Sequence, residues 1–175
     1  MSVTDALMNE HQLILRYLEL MERTVNHSDS TLLFAKAPLF IEFIQQFADE
    51  FHHAKEEQNL FQYLAIPGVL THCNPIPQML YEHDKARQYV QQINSTLSDH
   101  HGGQLAAAIM QYVRLLREHI FKEDNILYPM AERDLSEQLK TELLADYQAT
   151  EQRLNGQAIW QRYQTLYEEL AQELS

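Results

Sequence analysis

The stretch Leu116-Arg117-Glu118-His119-Ile120-Phe121-Lys122-Glu123 decides how this chain is read. It sits in a row of positions spaced three and four residues apart: Leu105, Ile109, Tyr112, Leu116, His119, Glu123, Ile126 and Met130. That is the period of one helical face. An imidazole and a carboxylate interrupt the apolar seam four residues apart, a spacing that sets them side by side. Upstream, three more seams carry the same kind of interruption. The first runs Leu7, His11, Ile14, Leu18, Met21, Val25, and the third Leu80, His83, Ala86, Val90, Ile93, Leu97. The second runs Leu39, Phe43, Gln46, Glu50, His53, Glu57, Leu60, Leu64, with an additional apolar stripe at Phe40, Ile44, Phe47 and Phe51 that makes it a central helix.

Few breaks separate these seams. Asn26-His27-Ser28-Asp29-Ser30 suits a helix end and a following cap, Pro67-Gly68 with Pro75 and Pro77 brackets a loop, and Gly102-Gly103 reads as a helix end. Asp134-Leu135-Ser136-Glu137 offers a further N-cap, and Asn155-Gly156 a break or kink. Helices are therefore expected near 3–26, 33–65, 77–100, 104–131 and 135–174. Short connections favour antiparallel neighbours, so the expected fold class is all-α: an up-down antiparallel four-helix bundle with an additional C-terminal helical segment. One domain over 1–175 is expected, with the bundle at 3–131. The C-terminal helices at 135–174 would pack outside it or form a homodimer contact.

Composition agrees. Only 4 glycines and 5 prolines occur in 175 residues, which suits long helices. The formal net charge of −12 would repel a polyanion and argues against a nucleic-acid partner. No apolar run approaches the roughly 18 residues of a membrane span, and no basic-then-apolar leader opens the chain, so a cytoplasmic setting without membrane contact is expected. The single Cys73 has no partner for an internal disulfide, which fits a reducing compartment.

The nine histidines carry the chemistry. His11 and His83 lie about eight and six residues inside the starts of their helices, and His53 and His119 about twelve before the ends of theirs. In an antiparallel bundle with a rise of about 1.5 Å per residue, all four meet at one level. His53 with Glu57 and His119 with Glu123 would face inward, whereas His52 with Glu56, about 100° around the helix, is expected on a polar, solvated face. His27, His72, His100 and His101 read as surface residues. Four imidazoles and two carboxylates buried without a cation would be costly. Nitrogen and oxygen donors without thiolate, in a number beyond one tetrahedral ion, point to a dinuclear iron or manganese site rather than calcium, magnesium or structural zinc. The metal ligands expected are His11, His53, Glu57, His83, His119 and Glu123, with Gln46 and Glu50 as partners behind them and room for a bridging oxide or hydroxide. Open positions there would take a small ligand: dioxygen, peroxide or nitric oxide.

These residues resemble the hemerythrin-like proteins with the HHE cation-binding domain. The matching segments are Asn9-Glu10-His11, Phe51-His52-His53-Ala54-Lys55-Glu56-Glu57, Tyr81-Glu82-His83-Asp84, and His119-Ile120-Phe121-Lys122-Glu123-Asp124 followed by Leu127-Tyr128-Pro129. The resemblance implies a non-haem di-iron centre on the six residues above, with two iron ions ahead of manganese or zinc. Two departures bear on function. Oxygen-carrying members have a second histidine four residues after the one on the third helix, where this chain has Arg87. Their fourth-helix carboxylate is an aspartate five residues after the histidine, a place held by Asp124 beside Glu123. A missing histidine implies an extra open position, favouring redox chemistry over reversible carriage. The resemblance then implies a role like that of bacterial members in oxidant or nitric-oxide response or iron–sulfur repair. The alternatives are iron storage or delivery without turnover, an oxygen-binding carrier, or a metal-free helical protein acting through its fifth segment.

Overall fold

The first helix, α1 (Asp5–Val25), buries Leu7, His11, Ile14, Leu18 and Met21, as their spacing requires, with Glu10, Leu13, Tyr17 and Leu20 widening the buried face. In the computed structural model, which describes residues 2–27 and 29–174, all of the secondary structure is helical. The second rod opens as α2 (Ser30–Phe43) and continues through two π-helical stretches, π1 (Ile44–His53) and π2 (Glu56–Leu60), into α3 (Phe61–Leu64). The third is α4 (Ile76–Ser98). The fourth runs as α5 (Gly102–Lys122), π3 (Glu123–Leu127) and α6 (Tyr128–Asp134). α5 packs against α1 and α4, and α2 against α1 and α4, which closes the up-down bundle. Among the described residues no helix is long and apolar enough to cross a membrane.

Local chemistry sets most boundaries. Asp29 caps α2 by accepting from the Thr31 amide, and Ser136 caps the next helix by accepting from that of Leu139. Ser28, of the same predicted capping cluster, lies outside the described residues. Glu132, near the end of the fourth rod, reaches across to accept from the amides of Val3 and Thr4, satisfying donors at the start of α1. The expected helix end at Gly102-Gly103 is not observed. His100, at φ 56°, makes the left-handed turn instead, and α5 begins at Gly102. The C-terminal segment is two helices, α7 (Glu137–Leu154) and α8 (Gly156–Glu173), broken where Asn155 adopts φ 55°.

Two apolar clusters fill the interior. One gathers Leu13 to Met21 of α1, Phe40 to Phe51 of the second rod, Ala86 to Ile93 of α4 and Leu105 to Ile120 of α5. The other gathers Val3 and Leu7, Leu60 to Leu64, Ile76 and Met79, and Leu127 to Ala131. α8 seals the first with Tyr163 and Leu170, and α7 the second with Leu143 and Tyr147. On every rod the residues between the two clusters are polar and buried: Glu10 and His11, His52 to Glu56, Glu82 and His83, His119 and Glu123. A polar layer thus crosses the bundle at one level.

Candidate metal centre

The second rod brings its ligands inward by winding differently from an α-helix. A π-turn closes i to i+5 rather than i to i+4, so each such turn takes in one extra residue and moves the following face by about one position. Downstream of Ile44 the buried row is Phe47 and Ala48, Phe51 and His52, Lys55 and Glu56, Asn59 and Leu60. This corrects the three-four seam expected there. His52 and Glu56, expected in solvent, are 1% and 0% exposed. The Glu57 side chain is 26% exposed, Glu50 is exposed, and Gln46 accepts from the Tyr163 hydroxyl far from the polar layer. On the fourth rod π3 acts likewise: Leu127 is buried, and Ile126, placed inward by spacing, is 48% exposed.

Two sets of side chains bring ligand atoms together, each set within 4.8 Å: His53, Glu56, His83 and His119, and His11, His52, Glu56 and Glu123. All seven residues are buried, and Glu56 belongs to both sets. His83 Nε2 lies 3.3 Å from Glu56 Oε2 and 3.1 Å from His119 Nε2, and His119 Nε2 lies 3.2 Å from Glu123 Oε1. On the other side His11 Nε2 lies 3.2 Å from Glu123 Oε2, and His52 Nε2 3.7 Å from Glu56 Oε2. The Tyr128 hydroxyl donates to Glu56 Oε1 at 2.7 Å, and its ring stacks on that of His11.

Every one of the five imidazoles has a carboxylate at its Nδ1. Asp124 stands 2.7 Å from His11, Glu10 2.7 Å from His52, Asp49 3.2 Å from His53, Glu57 2.7 Å from His83 and Glu82 2.9 Å from His119. A carboxylate there holds the Nδ1 proton, fixes the ring and leaves the Nε2 lone pair for the interior, the arrangement that prepares a histidine to bind a metal. These carboxylates are themselves anchored: Arg87 bonds Asp49 and Glu57, Lys122 bonds Glu82, and the buried Lys55 bonds Glu10 and, at 2.9 Å, Glu151 of α7.

The layer demands positive charge. Glu56 Oε2 and both oxygens of Glu123 are buried without a hydrogen-bond donor, a state that costs free energy unless a cation meets them. Protons answer part of the demand. Burial works against charge on His11, yet the nearby carboxylates of Asp124 and Glu123 outweigh it and push its pKa up to about 10. The nearby carboxylates of Glu123, Glu56 and Glu57 likewise lift His83 well above the ordinary value against its burial. Burial prevails at His52, pulled down to about 3, and holds His53 well below the imidazole range. Burial opposes charge on Glu123, but His119, His11 and His83 keep it well below the usual carboxylate range. Three orphaned oxygens among five imidazoles fit a divalent or trivalent cation, which would take the place of those protons.

Of the six ligands expected from the sequence, the structure brings together His11, His53, His83, His119 and Glu123. It sets Glu57 behind His83 instead, with Arg87, and puts Asp124 behind His11. His52 and Glu56 are the residues that spacing alone misses. The signal that could have found them is the pair Phe47 and Phe51, since continuing that apolar stripe by four or five leads to Lys55 and Glu56. Where α4 carries Arg87, π1 brings a fifth imidazole, His52, into the buried layer.

The family model described as the hemerythrin HHE cation-binding domain matches residues 2–131. That range, 130 of 175 residues, contains both sets of ligand atoms and every carboxylate behind them. No curated protein matches the chain, and no solved structure does.

Proposed function

This chain belongs to the hemerythrin HHE cation-binding domain family, and from that premise we propose that it is a di-iron protein that binds, senses or reduces a small oxidant such as oxygen, peroxide or nitric oxide. The observation that carries the reading is the pair of buried ligand sets joined through Glu56, with unpartnered oxygens of Glu56 and Glu123 between them. His53, His83, His119 and Glu56 would hold one ion, and His11, His52, Glu56 and Glu123 the other. Iron is favoured over zinc and manganese by the family's own pattern. When bound, paired iron supplies one-electron redox chemistry and positions at which a small ligand can exchange.

The protein's own groups prepare that chemistry. The five carboxylates at Nδ1 hold each ring in place and raise its basicity. Tyr128, by donating to Glu56 Oε1, keeps that carboxylate from rotating and leaves Oε2 turned inward. The apolar clusters above and below keep bulk water out, so the charges within act at low dielectric. A cytoplasmic role in oxidant stress or iron–sulfur repair is part of this reading.

Elemental analysis of protein purified without a histidine tag tests it. About two irons per chain are expected, and mixing the reduced protein with oxygen, peroxide or nitric oxide should change its spectrum within seconds. No stoichiometric metal after anaerobic iron loading would overturn the proposal. Two irons that react with none of the three would leave storage as the function.

A further inference from the structure

A cavity of about 260 Å³ lies between π1, α4 and α5 and ends at His53. Cavities of about 150 Å³ already hold xenon or benzene, so this one has room for a diatomic molecule several times over. Its composition is graded. Gln45, Gln91 and Asn94, all exposed, form the mouth. Ile44, Ala86, Val90 and the buried Tyr112 line the walls. His53 stands at the inner end, and beside it lies the partly exposed pair Asp49 and Arg87, joined to each other at 2.8 Å. That ion pair is internally compensated, and no other charged side chain lines the cavity.

This is unusual on a chain of formal net charge −12, whose surface disfavours the approach of small anions. Three neutral amides at the mouth and aliphatic walls behind them select for the opposite kind of visitor. We infer that the cavity is the entry chamber of the metal centre and admits small uncharged molecules of low polarity, the class of dioxygen and nitric oxide. The inference rests on the proposed di-iron reading. It adds the route and the charge class of the ligand. Ala86 is the position that keeps the chamber open, since its methyl group faces a space a larger side chain would fill. Arg87 is a positioning residue here: from the partly exposed flank of the chamber it ties Asp49 to Glu57, and those two carboxylates hold His53 and His83.

Filling the chamber tests this. In Ala86→Phe, iron per chain should equal that of the wild type, while the second-order rate of the reduced protein with nitric oxide should fall at least tenfold. Val90→Phe fills the same space from the next turn and serves if the first variant does not fold. A readout independent of iron is xenon: crystals of the wild-type protein under xenon pressure should show it beside Ala86 and Val90, and the filled variant should not. Iron retained with an unchanged nitric-oxide rate would overturn the chamber and leave the di-iron reading standing. Absence of iron from the wild type would defeat that reading and the entry route with it. A filled variant that slows azide as much as nitric oxide supports the chamber but overturns its preference for uncharged molecules.

Discussion

The two halves of the centre are built from different materials. One set takes three imidazoles and shares one carboxylate, while the other takes two imidazoles and two carboxylates and has the Tyr128 hydroxyl against it. The first is therefore the less negative environment and the second the more negative, although both lie in one buried layer. Glu56 alone belongs to both, and the lesson is that the halves are not independent sites that happen to be close. They are coupled through Glu56, which both sets share, and through Glu123, whose two oxygens face His119 and His11, and each half answers to substitution in a different way.

Removing Glu56 should break both halves at once. Glu56→Ala is expected to lose all iron, from about two per chain to none, because each ion loses a ligand and Tyr128 loses its acceptor. Elemental analysis checks this, and retention of even one ion would show that the halves are separable. Next in size, His53→Ala and His52→Ala should each leave about one iron per chain, and the double variant none. Equal and complete loss in both single variants would mean that one ion cannot bind without the other.

Acid should act on both halves of the metal-free protein in the same direction. His52 binds its proton in the unfolded chain near pH 6.5 but in the folded chain only near 3, so the unfolded state is favoured as pH falls through that window. Glu82 is held down to about 2: burial opposes its charge, but the bonds from His119 and Lys122 prevail, so its stabilisation, present above the ordinary carboxylate pKa, is lost as pH falls toward 2. His11, raised to about 10, contributes fully below 6.5 and loses its effect only as pH rises through 10. Melting temperature against pH should therefore peak near neutrality and fall on both sides. A maximum below pH 5 would contradict this. The smallest effect is expected at Glu57. Glu57→Gln should keep both irons while weakening affinity about 10- to 100-fold, as loss of a carboxylate behind a histidine does. Loss of an ion instead would return Glu57 to the ligand set.

How much of this the sequence disclosed differs from rod to rod, for one physical reason. α1 is a regular helix, and its inward stripe from Leu7 to Met21 is as periodicity requires. α4 and α5 are legible except near the start of α4, where Leu80, read as inward, is 40% exposed and Met79 beside it is buried. In the second rod the bundle and its level of histidines were legible, but the identity of the facing carboxylate was not. Periodicity assumes a constant residue count per turn, and π1 and π2 break that assumption just where the ligands stand. The buried carboxylates behind the imidazoles, Glu10 and Glu82 above all, escaped for a different reason. A seam written as one line of positions has no place for a second polar residue one step around the helix.

A π-turn is also what an α-helix becomes when it gains one residue and keeps its ends in place. Seen as a matter of insertion and deletion, the π-turns of the second and fourth rods are places where a change of length can be taken up within a helix rather than in a loop. The chain between the apolar clusters could therefore lengthen by single residues while Leu60 to Leu64 and Leu127 to Ala131 stayed packed. Each added residue dials a new side chain into the polar layer. In such a bundle the inventory of residues offered to a metal depends on helix length as well as on residue identity, and a deletion within π1 would turn His52 and Glu56 away from the layer.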